Sequence, residues 1–307
     1  MLIPFTTPFF SNGELDLQSL KANLNNWNKT GIKGYVALGS TGERVNLDER
    51  EYLEVIEAAR AEVPEQRTFI VGAGQQSTLK TIAEIKLAAA AGADAVLVLT
   101  PHYYRPAITQ EVLLDYYRAV ADASPVEIIL YSMPPLTGIK IEPQTVAQLS
   151  EHQNIIGVKD SSADVEEFTT TLRIVANNFS VLTGNGTVLR ETFLAGAAGG
   201  ILAVGCVVPE VCLEIFEAIR SHDDDRAARL QKRLTPLAAA VTVKYGIGGL
   251  KAALDMNGYK GGSVRAPLPV PGSRAREEIA LLLNEVQAAL DAPTALDKTA
   301  KESAGNL

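Results

Sequence analysis

Histidine is nearly missing from this 307-residue chain, which has only His102, His152 and His222, far apart and without the spacing of a metal-ligand set. A zinc site drawn from several histidines is thereby excluded, and no metal or other cofactor is expected. Cysteine is scarcer still. Cys206 and Cys212 both sit in apolar surroundings, which excludes a disulfide framework and reads as buried thiols. Basic residues are outnumbered, 28 Lys and Arg against 36 Asp and Glu, for a net charge of −8. That deficit argues against a nucleic-acid partner, which needs a basic face. The start of the chain, Met1-Leu2-Ile3-Pro4-Phe5, lacks the basic stretch of a signal peptide. One uncharged run, 192–209, is long enough to suggest a membrane span, but Gly196, Gly199, Gly200 and Gly205 interrupt it. A helix end followed by a buried strand explains it better. No membrane partner is expected, and the chain reads as cytoplasmic.

What is present is apolar and periodic. Hydrophobic residues make up 47% of the chain, enough for one large core. Through the first 222 residues a short β-rich run, a loop and an amphipathic helix follow one another repeatedly. The strands are expected at 2–6, 34–38, 68–72, 95–99, 126–131, 155–159, 180–183 and 200–204. Helices are expected between them, for example at 47–62, 78–91, 110–122 and 164–177, with Asn46 and Glu49 as a capping box for the first of these. Strands apolar throughout imply a parallel sheet covered on both faces. Eight such units predict a (β/α)₈ TIM barrel over residues 1–222. A doubly wound sheet is the runner-up, although it needs fewer units and usually a glycine-rich first turn. Beyond Asp223-Asp224-Asp225 only helical patterns remain, at 225–240, 248–257 and 274–291. They predict a C-terminal helical extension over 223–292, followed by a polar tail at 293–307.

In a parallel barrel the working groups stand at the C-terminal ends of the strands. Lys159 closes the apolar run Ile155-Ile156-Gly157-Val158, and burial there favours the neutral, nucleophilic amine. The bland alternatives are a stem reaching out of the barrel mouth or a pairing with Asp160. Gly39-Ser40-Thr41-Gly42-Glu43 offers successive N–H groups and two hydroxyls, a turn suited to a carboxylate. It is not a Walker loop, and Gly72-Ala73-Gly74 is not a dinucleotide fingerprint. Tyr131 ends the fifth strand, where a phenol can move protons or simply plug the barrel. Tyr103 and Tyr104 are equally ambiguous. His102 is expected at the site mouth, and His152 and His222 on the surface.

Five motifs in order then carry a resemblance. Pro4-Phe5-Thr6-Thr7-Pro8-Phe9, the 39–43 turn, Thr100-Pro101-His102-Tyr103-Tyr104-Arg105-Pro106, Leu130-Tyr131-Ser132-Met133-Pro134 and Gly157-Val158-Lys159-Asp160 resemble the dihydrodipicolinate synthase / N-acetylneuraminate lyase superfamily over about residues 1–290. The resemblance implies Schiff-base aldolases acting through pyruvate, usually tetrameric. It gives Lys159 the Schiff-base position and Tyr131 that of the catalytic tyrosine. Ser40 and Thr41 take the positions that receive the pyruvate carboxylate, with Gly39, Gly42 and Ile201 also among the substrate-binding positions. Ser40 further stands where a hydroxyl links Tyr131 to a second tyrosine. Tyr103 matches that tyrosine, which relatives supply from a neighbouring subunit.

Within the superfamily the motifs diverge. Dihydrodipicolinate synthases carry an arginine two residues after the proline of the tyrosine motif, and it receives the carboxylate of aspartate semialdehyde. Leu136 stands there in this chain. Tyr131-Ser132-Met133-Pro134, Lys159-Asp160-Ser161 and Tyr245-Gly246-Ile247-Gly248-Gly249-Leu250-Lys251 are more similar to 4-hydroxy-2-oxoglutarate aldolases, as are Gly258-Tyr259 and Arg265-Ala266-Pro267-Leu268. That comparison puts Ser161 near the substrate. The expected function is cleavage of 4-hydroxy-2-oxoglutarate to pyruvate and glyoxylate by a homotetramer whose only ligand is a small 2-oxo acid. Dihydrodipicolinate synthesis is the first alternative. A barrel oxidoreductase lacks its dinucleotide signature, and a non-catalytic 2-oxo-acid sensor would not need Lys159 and Tyr131.

Overall fold

A computed structural model describes residues 1–290. Strands and helices alternate from the first residues, in the order β1 (Leu2–Pro4), α1 (Leu17–Trp27), β2 (Gly34–Ala37), α2 (Glu49–Arg60), β3 (Thr68–Ala73) and α3 (Thr78–Ala90). Then come β4 (Ala95–Leu99), α4 (Gln110–Ala123), β5 (Glu127–Ser132), α5 (Pro134–Thr137), α6 (Pro143–Ser150) and β6 (Ile155–Asp160). The barrel finishes with α7 (Val165–Ile174), β7 (Ser180–Thr183), α8 (Leu189–Ala195), β8 (Gly199–Gly200) and α9 (Pro209–Arg220). Three further helices follow: α10 (Asp224–Ala239), α11 (Gly246–Met256) and α12 (Ser273–Leu290).

All eight strands are parallel and hydrogen-bonded in sequence order. A parallel bridge between Leu2 and Ile201 joins the last strand to the first. The architecture is the (β/α)₈ barrel that the repeated apolar runs predict. Because side chains alternate along a strand, each run feeds two cores. Val36, Ile70, Leu97, Ile129, Tyr131 and Ile201 point inward and form one apolar cluster. Their neighbours, such as Tyr35, Phe69, Val96, Ile128 and Leu130, point outward under the helices. At Gly72 the backbones pack too closely for a side chain, since a Cβ would lie 2.3 Å from the Leu38 carbonyl oxygen.

Several element ends differ from the expectation. The strand expected at 200–204 shrinks to Gly199–Gly200, and Val204–Cys206 is a 3₁₀ turn. Ile201 contributes only the bridge, and the chain bends at Ala203 into helical backbone. An apolar run alone cannot tell strand from buried helical turn. The strand expected at 2–6 is likewise shorter, ending at Pro4. The capping box belongs to Asp48 and Glu51 rather than Asn46 and Glu49. Residues Arg44–Asn46 form a 3₁₀ turn, which delays the helix by two positions. The uncharged stretch 192–209 is divided among α8, β8, a 3₁₀ turn and α9, and no helix among the described residues is long and apolar enough to cross a membrane.

Asp223 caps α10 through the Arg226 N–H, as the acidic triplet suggests. Between α10 and α11 lies a π-helical turn, Ala240–Lys244. The helical extension expected over 223–292 is described as far as residue 290, and the polar tail at 293–307 lies outside the described residues. Cys206 and Cys212 are both buried and free, and the Cys206 thiol donates to the Pro4 carbonyl at 3.1 Å.

Candidate active site

Parallel register sets Tyr131 of β5 directly beside Lys159 of β6. Both stand at the C-terminal end of the barrel, and Lys159 is 4% exposed. Its Nζ lies 4.3 Å from the centre of the Tyr131 ring. Asp160 does not pair with it. That carboxylate turns to the opposite face of β6 and accepts from the Ser162 N–H at 2.7 Å and the Ser162 hydroxyl at 3.1 Å. Burial raises the Asp160 pKa, with the Ser162 bonds opposing. Among the described residues the ion-paired lysines are Lys140, Lys244 and Lys251, so the amine of Lys159 has no carboxylate partner. The stem does not escape the mouth either, as its burial shows.

The turn after β2 supplies the second part. Leu38 (φ 54°) and Glu43 (φ 56°) both adopt left-handed backbone, an uncommon state outside glycine, and they bracket Gly39–Gly42. Ser40–Gly42 is a 3₁₀ turn closed by Gly42 N–H to Gly39 O and Glu43 N–H to Ser40 O. The N–H groups of Ser40 and Thr41 open that turn and have no acceptor among the described residues. The Ser40 hydroxyl lies 3.2 Å from the Tyr131 hydroxyl, so turn and phenol form one hydrogen-bonded unit.

Ser161 follows directly. Its hydroxyl is buried and has no hydrogen-bond partner. A Cβ added at Gly184 would lie 2.1 Å from Ser161 Oγ and 2.7 Å from Lys159 Cε, so the free hydroxyl and the amine stem meet over that glycine. An unpaired buried hydroxyl is costly unless something completes it, and a ligand oxygen would. Ile201 is fully buried on the barrel axis in the same cluster as Tyr131.

A cavity of about 320 Å³ opens in front of these groups, bordered by Gly39, Ser40, Glu43, Tyr131, His102 and Leu136 among others. Lys159, Thr41, Ser161 and Ile201 do not border it. Arg44 does, but its guanidinium is tied to Glu84, whose second oxygen accepts from Gly74 N–H. Ile247 of α11 and Leu268 also border the cavity, so the C-terminal segment contributes to its wall. Among the described residues no group of three or more His, Cys, Asp or Glu is placed to hold a metal ion.

The expected residues are thus divided. Lys159, Tyr131, Ser40 and Ser161 come together, with Gly39, Thr41 and Gly42 forming the adjoining turn. Tyr103 does not join them within one chain. It is 74% exposed, its ring set edge-on to Tyr104, and its N–H is held by the Gln76 side chain at 2.8 Å. His102 reaches the mouth as expected, while His152 pairs with Asp122 at the surface. One buried group was missed. Lys251 is 1% exposed and ion-paired to Glu43. Its signal is a lone charge inside the otherwise apolar run Gly248-Gly249-Leu250 to Ala252-Ala253-Leu254.

Comparison with known proteins fits this geometry. The profile of the Dihydrodipicolinate synthetase family matches residues 1–286. The 4-hydroxy-tetrahydrodipicolinate synthase of Methanothrix thermoacetophila is 35% identical over 265 residues, 85% of this chain and 88% of that one. The crystal structure of dihydrodipicolinate synthase from Thermotoga maritima aligns with a TM-score of 0.88 at 29% identity, covering 93% of this chain and 97% of that one. A prophage protein of the dihydrodipicolinic acid synthase family from E. coli K12, solved in complex with pyruvate, aligns with a TM-score of 0.86 at 27% identity over 93% and 98%. With the profile spanning almost the whole chain and the barrel matching solved members throughout, the chain belongs to the dihydrodipicolinate synthetase family and is a pyruvate-dependent lyase.

Proposed function

We propose that this lyase cleaves 4-hydroxy-2-oxoglutarate to pyruvate and glyoxylate through a Schiff base on Lys159. The amine adds to the 2-oxo carbon, and loss of water leaves an iminium. Tyr131 takes the proton of the C4 hydroxyl as the C3–C4 bond breaks, and the bonding pair flows into the iminium. Glyoxylate leaves, the enamine is protonated at C3, and hydrolysis returns pyruvate and the free amine. Ser40 hands protons to and from Tyr131, and the Ser40–Thr41 turn holds the C1 carboxylate. Ser161 completes its hydroxyl on a substrate oxygen beside the amine.

Leu136 carries the choice of aldehyde. Its side chain is 66% exposed and borders the cavity mouth where an arginine would meet aspartate semialdehyde. The arginines that could substitute are ion-paired elsewhere or do not border the cavity. Arg44 is held by Glu84, Arg190 by Glu191 and Asp224, and Arg105 lies against Gly138 outside the cavity. Chain length decides the rest. Aspartate semialdehyde carries its carboxylate well beyond the aldehyde carbon, out towards the mouth. Glyoxylate carries it on that carbon, beside the Schiff base and so on the side of Ser161.

The second reading is 4-hydroxy-tetrahydrodipicolinate synthesis, favoured by the names of relatives such as the Methanothrix enzyme. Pyruvate release from 4-hydroxy-2-oxoglutarate, measured beside condensation of pyruvate with aspartate semialdehyde, separates the two. A higher kcat/KM for condensation would give the second reading the chain. We further propose that residues 1–222 form the catalytic barrel, with the extension expected over 223–292 packed on it as far as the described residue 290, and that the working unit is a tetramer in which Tyr103 enters a neighbour's site.

A further inference from the structure

The groups behind the Ser40–Thr41 turn are charged, buried and outside the chemistry described above. Lys251 of α11 is 1% exposed and Glu43 is 2% exposed. The Lys251 ammonium donates to Glu43 Oε1 at 2.6 Å, Thr7 O at 2.7 Å and Ser263 O at 2.6 Å, so all three of its protons are used. Glu43 Oε2 accepts from Arg265 N–H at 3.1 Å and the Asn46 amide at 3.2 Å. Thr7 grips the turn a second time, its hydroxyl donating to the Gly42 carbonyl at 2.7 Å. Two cations lie near the Phe9 ring, Lys251 Nζ at 4.6 Å from its centre and the Arg265 guanidinium at 4.3 Å.

Such an arrangement is an expensive way to fill a core. Two apolar side chains of similar size would hold the fold as well, because burying an ion pair costs about as much desolvation as it returns in attraction. What the pair supplies is direction. Glu43 stands in left-handed backbone at the end of the 3₁₀ turn, and its own N–H closes that turn on Ser40 O. Fixing its carboxylate fixes the turn, and with it the Ser40 hydroxyl that meets Tyr131. Burial pushes the Lys251 amine down, while the Glu43 carboxylate opposes that shift. Lys251 does not border the substrate cavity, so it acts only through the turn.

We propose that Lys251 is a positioning residue for substrate: through Glu43 and Thr7 it clamps the Ser40–Thr41 turn in the geometry that receives the 2-oxo acid's carboxylate. The inference rests on the reading of that turn as the carboxylate site. Its consequence is specific. Releasing the clamp weakens capture of pyruvate and leaves the amine of Lys159 competent.

The test is borohydride trapping of pyruvate on Lys159 across pyruvate concentrations, followed by mass spectrometry. Lys251→Met strands a buried carboxylate and can fail to fold, so the deciding protein is Lys251→Met/Glu43→Gln, in which both partners are neutral. We expect its half-saturating pyruvate to rise about 10- to 100-fold, the cost of a misplaced positioning group, with the trapped amount at saturation unchanged. Amide exchange should quicken in the peptide spanning 39–47 and remain unchanged in α4. Wild-type half-saturation with wild-type exchange would overturn the proposal. So would loss of trapping at unchanged half-saturation, or failure of the double variant to fold, which would make the pair part of the scaffold. Ser40→Ala and Thr41→Val are the controls on the underlying reading. If neither raises half-saturating pyruvate, the turn is not the carboxylate site, whatever Lys251 does.

Discussion

Among the described residues two lysines are buried, Lys159 and Lys251, and their surroundings give them opposite characters. Lys251 spends every proton on a fixed acceptor, whereas Lys159 has no hydrogen-bond acceptor among the described residues and lies over the ring of Tyr131. An amine left free in a dry site is the one able to attack a carbonyl. Pyruvate with borohydride should therefore modify Lys159 alone, and an adduct on Lys251 or elsewhere would sink the mechanism. Tyr131→Phe removes the hydroxyl that meets Ser40, and general acid–base catalysis of this kind contributes roughly 10²- to 10⁴-fold. A loss of that size in kcat, with adduct formation slowed but still on Lys159, is the expected outcome. Leu136→Arg tests the aldehyde choice. A bidentate pair with a carboxylate forms only if the new guanidinium finds the right geometry, so we expect a gain of about tenfold or more in kcat/KM for aspartate semialdehyde, against 1.4 kcal/mol per factor of ten. No gain would mean that the partner is chosen deeper in the barrel. Lys159 was legible because strand and lysine adjoin in sequence. Lys251 was not, because its acceptors Thr7 and Glu43 lie more than 200 residues away along the chain.

At the scale of elements, the strands were readable where a run is apolar on both faces and ends at a turn. β5 and β6 came out within one residue of their expected ends, which is why Tyr131 and Lys159 fell side by side. β8 failed because 200–204 is equally apolar as strand or as turn, and only the closing bridge to Leu2 decides between them. The start of α2 was misread for a related reason: Asn46 and Asp48 are both good caps, and the 3₁₀ turn before the helix chooses Asp48. The choice can be checked. Asp48 accepts from Glu51 N–H at 2.8 Å, and the Glu51 side chain returns a bond to Asp48 N–H at 3.1 Å. Loss of such a cap costs about 0.5–2 kcal/mol. Asp48→Ala should lower the urea midpoint accordingly while leaving activity per folded molecule intact. An unchanged midpoint would show that the turn, rather than the cap, starts the helix.

At the scale of the whole molecule, several exposed apolar side chains stand beside the cavity mouth. A closed barrel has no free sheet edge, so its unsatisfied surface is made of side chains. Tyr103 and Tyr104 are 74% and 70% exposed, packed edge to face with ring centres 5.0 Å apart. Val45 and Leu136, 82% and 66% exposed, border the cavity mouth, and Leu79 at 80% lies in the first turn of α3, just after Gln76, the residue that holds the Tyr103 N–H. Contiguous apolar surface beside a site is the kind that an interface would cover. The hydrogen bonds from His102 and Tyr103 N–H to Gln76, both at 2.8 Å, stiffen the loop that presents the tyrosine outward. A loop shaped only for its own site would turn the phenol in. This one suits the reading that Tyr103 serves a second copy, meeting the Ser40–Tyr131 pair from across an interface. Wild-type protein at assay concentration should then sediment as a dimer or larger. Tyr103→Asp should shift it towards monomer and reduce kcat, because a buried carboxylate at the interface would have no partner. A wild-type monomer with full activity would remove Tyr103 from the site and leave the Ser40–Tyr131 unit to relay its protons to water alone.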